Sequence, residues 1–175
     1  MPALLVTGPP GCGKTTLVLE TVRELGAPAG GFYTEELRRA GRRVGFRLVT
    51  LDGRAAVLAC TQSRSPLRVA RYGVELAAVD DLGVPALLGA ARRGWLVVVD
   101  EIGKMELLSP LFRRALLDVL DGGWLVFGSI MLARHPFADA IKSRPDVVVL
   151  PMTRQTRAEV RERVLRELRA AIGRD

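Results

Sequence analysis

Lysine is almost absent from this chain: of 26 basic residues only three are lysines and 23 are arginines. Cysteine and histidine are scarcer still. Two isolated cysteines, Cys12 and Cys60, are too few for a disulfide framework or a zinc site. No apolar run approaches the ~18 residues that a membrane helix needs. The N-terminus offers one short apolar stretch and no cationic region, so it lacks the pattern of a secretion signal. No repeat, low-complexity tract or interdomain linker interrupts the sequence. These absences predict one domain over residues 1–175, cytoplasmic and without a membrane partner. An apolar fraction of 49% suits an ordinary packed core.

The net charge of +7 keeps nucleic acid open as a partner without favouring it. The arginines are spread along the chain and do not cluster with aromatics, which reads as a solvated surface. Where arginine is the default cation, a retained lysine points to a role that needs a compact ammonium. Lys14 and Lys104 both fall inside stretches that look like nucleotide motifs.

The first of these is Gly8-Pro9-Pro10-Gly11-Cys12-Gly13-Lys14-Thr15, a full match to the phosphate-loop pattern G-x-x-x-x-G-K-[ST]. Ala3 to Thr7 before it suits a buried strand. Thr16 to Leu25 after it carries Val18, Val22 and Leu25 at helical spacing, with Gly26 as a stop. Strand, glycine loop and helix form the context in which backbone N–H groups cradle phosphate oxygens at a helix N-terminus. In that arrangement Gly8 to Thr16 contact the nucleotide, Lys14 reaches the β- and γ-phosphates, and the Thr15 hydroxyl ligates Mg²⁺.

Further along, Gly31 to Leu37, Gly45 to Leu51 and Arg54 to Ala59 read as closely joined strands. They must therefore be antiparallel, and they predict a small meander attached to the main sheet. Thr61 to Arg71 reads as a loop and Tyr72 to Leu76 as a short strand. Asp80 or Asp81 is expected to cap a helix reaching Arg93. Trp95 to Glu101 and Trp124 to Gly128 read as buried strands. Between them Ser109-Pro110 opens a helix through Leu120. His135-Pro136 opens a short helix to Lys142, and Asp146 to Leu150 is the last strand. A capping box at Thr156 to Glu159 precedes a helix to Ile172, with Glu159–Arg163 and Glu162–Arg166 as supporting pairs. Alternating strands and helices predict an α/β fold, a mostly parallel sheet sandwiched by helices.

The second constellation is Val97-Val98-Val99-Asp100-Glu101-Ile102-Gly103-Lys104-Met105-Glu106. Ligands of open α/β sheets bind at the carboxyl ends of strands, where Asp100 and Glu101 fall. An acid there organises Mg²⁺ in phosphate-loop enzymes, which suits Asp100. Glu101 is then placed to orient or deprotonate a water, with Glu106 as the second candidate base. Ser129 ends the neighbouring strand, either as a polar contact to water or phosphate or as an ordinary strand-end serine. Lys104 reads as a charge clamp or a surface lysine. His135 reads as a helix cap. Arg134, Arg154 and Arg157 are candidates for charge stabilisation or base stacking, each one among 23.

Several stretches together resemble the THEP-type, or cancer-related, nucleoside-triphosphatases. They are Gly31-Phe32-Tyr33-Thr34-Glu35-Glu36, Arg43-Val44-Gly45-Phe46 with Thr50-Leu51-Asp52-Gly53, Tyr72-Gly73-Val74, and Asp100-Glu101-Ile102-Gly103-Lys104-Met105-Glu106-Leu107. The resemblance implies a phosphate-loop fold with an added central strand and a catalytic glutamate. It implies Mg²⁺-dependent hydrolysis of nucleoside triphosphates to diphosphates with loose base preference. Carried over, Gly8 to Thr15 is the triphosphate cradle, Asp100 the metal-organising acid and Glu101 the base. Gly128-Ser129-Ile130-Met131 stands where the family often has Ala-Thr-Ile-Pro, keeping the hydroxyl and losing the proline. Thr153 to Arg157 is similar to the family's stretch near the base but lacks its asparagine.

Two other functions use the same cradle. A small phosphotransferase would need an acceptor pocket beside it. A nucleotide-switched module would use the basic surface to hold RNA or a protein.

Overall fold

A computed structural model describes residues 3–173. Nine strands form one sheet in the order β5-β6-β4-β3-β2-β7-β8-β1-β9. They are β1 (Ala3–Thr7), β2 (Ala29–Arg39), β3 (Arg42–Thr50), β4 (Ala55–Cys60), β5 (Arg68–Val69), β6 (Tyr72–Val74), β7 (Leu96–Ile102), β8 (Val126–Ile130) and β9 (Val147–Pro151). Strands β2, β7, β8, β1 and β9 run parallel to their neighbours. From β2 outward, β3, β4, β6 and β5 pair antiparallel. The expected meander is thus a continuation of the main sheet, with β2 serving as a member of both halves. The sheet is mixed, as half of it is this extension.

The helices are α1 (Lys14–Leu25), α2 (Val84–Arg92), α3 (Pro110–Asp121), α4 (Pro136–Lys142) and α5 (Arg157–Ile172). Alternation along the strands decides which face each covers. Leu4, Val6, Val98 and Phe127 pack with Leu17 and Val18 of α1 and Val160, Val164 and Leu168 of α5. Ala3, Leu5, Val97 and Val99 pack on the other face with Leu87, Phe112, Leu116 and Ile141 from α2, α3 and α4. Both faces of the parallel strands are buried, which is why those strands read as unbroken apolar runs.

Local signals place several ends as expected. Ser109 Oγ accepts from Phe112 N at 2.9 Å, and His135 Nδ1 accepts from Phe137 N at 3.2 Å, so both act as caps. Other expectations are corrected. Asp80 and Asp81 cap nothing: a π-helical turn over Ala78–Gly83 leads straight into α2, and Asp80 instead accepts from the Ser109 hydroxyl. Thr156 makes no side-chain cap to α5. The reciprocal bonds form one turn earlier, with Thr153 N donating to Thr156 Oγ1 (2.9 Å) and Thr156 N donating to Thr153 Oγ1 (3.2 Å). In place of the expected pairs within α5, Arg157 and Arg169 reach across to Glu20 and Glu24 of α1 at 2.7 and 3.0 Å. Helix–helix packing turns that arginine face toward α1, while Arg163 pairs within α5 with Glu167 at i,i+4 (2.8 Å) in place of Glu159.

Strand β8 lies between β1 and β7, so the phosphate loop and the Asp100-Glu101 pair leave the same sheet edge one strand apart. Glycines grip β7 from both sides. A Cβ on Gly31 of β2 would lie 1.9 Å from the Val98 carbonyl oxygen, and one on Gly128 of β8 would lie 1.7 Å from that of Val99. No side chain fits either gap without moving backbone. Gly128→Ala is expected to cost about 3 kcal/mol or more of unfolding free energy. Gly123→Ala, at a positive φ in open space, is expected to cost about 1 kcal/mol. Urea unfolding of the two variants measures the difference.

Candidate active site

The loop between β1 and α1 is built by contacts that only glycine permits. A Cβ on Gly8 would fall 2.3 Å from the Met152 carbonyl oxygen beyond the end of β9, and Gly11 and Gly13 have φ of +73° and +95°. Gly13 is the N-cap of α1 and offers no side-chain cap. The first N–H groups of the helix are thus left for an anion, and no acid occupies the first turn to repel one. Pro9, Pro10, Gly11 and Thr16 are exposed along the loop and at the helix start. Cys12 is buried beneath the loop beside Gly8, so only its backbone can face a ligand.

Lys14 Nζ donates to the Gly8 and Pro9 carbonyl oxygens at 3.0 and 3.4 Å, folding back over the loop. Beside it Asp100 is 1% exposed, a burial that demands partners for its carboxylate. Thr15 Oγ1 donates to its Oδ2 at 2.6 Å and the Ser129 hydroxyl donates to its Oδ1. Burial raises the pKa of Asp100, opposed by these two hydrogen bonds and by the nearby Lys14 ammonium. Ser129 is therefore a brace for the acid, a role absent from its two expected ones. Thr15 and Asp100 converge on one point with oxygen donors alone, the donor type that Mg²⁺ takes. Among the described residues no group of three His, Cys, Asp or Glu is arranged to hold a metal ion by itself. A Mg²⁺ ion there would thus complete its shell with phosphate oxygens and water, its usual habit.

Glu101 is half-buried at the cleft. Burial raises its pKa, the Lys14 ammonium pulls it down, and the Asp100 carboxylate raises it further. Glu106 is buried in a short 3₁₀ turn over Glu106–Leu108. Its carboxyl and that of Glu101 both turn toward Gly103, where a Cβ would meet Glu106 Oε2 at 2.9 Å and Glu101 Oε1 at 3.4 Å. Burial pushes Glu106 up from 4.5 to about 8, with Glu101 and Asp100 adding to the rise against backbone hydrogen bonds.

The remaining candidates separate into two groups. Lys104 is exposed at the cleft rim, on the side of Lys14 and Glu101. Arg154 Nε donates to the Gly11 carbonyl at 3.1 Å, and the stem of Arg157 packs 3.2 Å from where a Gly13 Cβ would stand. Both flank the loop, but Arg157 is committed to Glu20. Arg134 is exposed, and His135 serves the backbone of α4.

A cleft of about 530 Å³ opens beside this cluster. One half is lined by Gly8, Pro10, Lys14, Glu101 and Glu106, the other by Thr34, Phe46, Leu58, Val69, Met131 and Leu132. The second group escaped the sequence reading. Its members come from β2, β3, β4 and β5 and from the segment after β8, and only the folding of the extension over the loop assembles them. The one available signal was the resemblance over Gly31 to Glu36 and Gly45-Phe46, which covers Thr34 and Phe46.

A family model described as NTPase matches residues 3–165. Nucleoside-triphosphatase THEP1 of Thermotoga petrophila is 44% identical over 93% of this chain and 90% of its own length. The human cancer-related nucleoside-triphosphatase is 40% identical over 88% of this chain and 90% of its own. The crystal structure of THEP1 from Aquifex aeolicus superposes with a TM-score of 0.87 at 35% identity, covering 96% of this chain and 99% of that one.

The buried Glu106 carries a consequence for stability. A carboxyl near 8 in the fold and 4.5 when unfolded binds more protons folded, so its contribution is full below pH 4.5 and is lost as pH rises through 8. Glu106→Gln keeps the shape and removes the ionisation. It is expected to match wild type at pH 5 and exceed it at pH 9 by on the order of 3 kcal/mol. Chemical denaturation across that pH range checks the crossing.

Proposed function

The chain belongs to the NTPase family of nucleoside-triphosphatases, and from that membership we propose that it is a Mg²⁺-dependent hydrolase converting nucleoside triphosphates to diphosphates and phosphate. The observation that carries this reading is the bridge Thr15–Asp100–Ser129. It ties the first helical turn after the phosphate loop to the acids closing β7. The triphosphate tail would lie along the backbone N–H groups of Gly8 to Thr15. Lys14, now turned onto Gly8 and Pro9, would exchange those carbonyls for the β- and γ-phosphates, a stronger charge-assisted contact. Thr15 and Asp100 would hold a Mg²⁺ ion, which when bound supplies charge neutralisation on the phosphate oxygens.

Glu101 would accept a proton from a water at the cleft as its oxygen attacks the γ-phosphorus and the bond to the bridging oxygen breaks. Burial raises its pKa, which makes it a better base than an ordinary carboxylate, and the Lys14 ammonium favours its ionised form. Little covalent chemistry falls to the protein, so position and charge account for the rate. Anchoring through phosphates, common to all nucleoside triphosphates, supports a broad base preference across ATP, GTP and others. Lys104 stands where its ammonium could meet the outer phosphate oxygens.

Phosphate release from a panel of nucleoside triphosphates tests this. Lys14→Ala is expected to lose about 10²- to 10³-fold in turnover with weakened nucleotide binding. Glu101→Gln is expected to lose about 10²-fold or more while retaining nucleotide. Normal turnover by Glu101→Gln would remove it from the role of base.

A further inference from the structure

Hydrolysis leaves the apolar half of the cleft without a task. The attacking water needs about 30 Å³, whereas the whole cleft, the part lined by the phosphate loop included, measures about 530 Å³, in the range of a small-molecule site. Its far wall is apolar and is held rigid. Phe46 meets Tyr72 edge-on at a ring separation of 5.3 Å. Arg43 stands over Phe46 at 5.2 Å and donates to the Tyr72 hydroxyl at 3.2 Å, and Arg71 donates to that hydroxyl at 3.1 Å. A wall braced in this way is prepared for a flat, hydrophobic occupant, whose ordering cost it lowers. Arg154 and Arg157 contact the phosphate loop at Gly11 and Gly13 and do not line this cleft. Lys14, Asp100 and Glu101 mark the γ-phosphate end of the tail, so the cleft lies beyond the γ-phosphate, where a nucleophile must enter.

We propose that this half of the cleft is an acceptor site that binds an uncharged, ring-bearing alcohol and passes the γ-phosphoryl group to it. The inference rests on the nucleotide site proposed above. The ring would lie between Phe46 and Met131, with Leu58, Val69 and Leu132 closing around it, and Thr34 offers a hydroxyl for orientation. The alcohol oxygen forms a bond to the γ-phosphorus, and the bond from phosphorus to the β–γ bridging oxygen breaks. The hydroxyl proton passes to Glu101, and the diphosphate leaves with the bridging oxygen. The products are a phosphate monoester and a nucleoside diphosphate, and release of phosphate to water is the same step with the acceptor missing.

The test incubates the full chain with Mg²⁺, γ-labelled ATP and one of benzyl alcohol, 3-pyridinemethanol or thymidine. It follows label in both the alcohol and inorganic phosphate, together with the NMR methyl signals of Met131 and of Met105, which also lines the cleft. Label in at least one alcohol, with both methyl signals shifted by it, is the expected result. Val69→Trp and the exposed Leu132→Trp fill the cleft away from the phosphate loop. Each is expected to lower transfer by about tenfold or more, as a misfit in an apolar pocket does, with phosphate release within about twofold of wild type. Either variant suffices if the other does not fold. Phosphate release without label in any alcohol overturns the acceptor site and leaves the hydrolase reading standing, whether or not the methyl signals move. Absence of both products overturns the hydrolase reading as well.

Discussion

A carboxylate 1% exposed to solvent governs the arrangement of the sheet edge that carries the candidate site. Asp100 is affordable in the interior only because the Thr15 and Ser129 hydroxyls both donate to it. Those donors come from the helix after β1 and from the end of β8. The register that pairs Val6 with Ser129 and Val99 with Gly128 is therefore also the register that solvates the acid. Glycine at 128 lets β8 approach β7 closely enough for that contact. Packing and electrostatics thus impose one condition, and a shift of any of the three elements would leave a buried charge without partners.

The same edge concentrates acids that water would normally keep apart. Asp100, Glu101 and Glu106 share one small volume; Lys14 lies near the first two, and the Thr15 and Ser129 hydroxyls donate to Asp100. Burial pushes all three toward the neutral form. The Lys14 ammonium lies near Asp100 and Glu101 while it donates to the Gly8 and Pro9 carbonyls of its own loop. The hydroxyls and Lys14 favour the ionised forms of the first two acids, whereas at Glu106 it is backbone hydrogen bonds that oppose burial.

The arginine-rich surface has a more local meaning than its net charge suggests. Arg157, Arg161 and Arg169 of α5 engage Glu20 and Glu24 of α1, fastening the closing helix to the one whose N-terminus carries the phosphate loop. Each exposed pair contributes about 0–1 kcal/mol, so their effect is alignment more than stability. On the opposite flank, Arg43 and Arg71 brace Tyr72 and through it Phe46. Arginine here acts as a rigid polar strut.

Sequence by itself determined the parts whose physics is local. The glycines and Lys14-Thr15 of the loop, the Ser109 and His135 caps, the buried runs and the acids ending one of them could be read because each depends on neighbours a few residues away. The Asp100-Glu101 pair was legible for the same reason, as a polar ending to an apolar strand. Tertiary structure alone decided that Ser129 holds Asp100, that the meander is half of one continuous sheet, and that its residues wall a cleft against the loop. It also paired Arg157, Arg161 and Arg169 of α5 with acids of α1 and drew Asp80 to Ser109. In all of these the partners lie more than 25 residues apart in sequence, and hydrogen-bond and packing energies depend on separation in space. Periodicity and spacing along a chain carry no record of that separation.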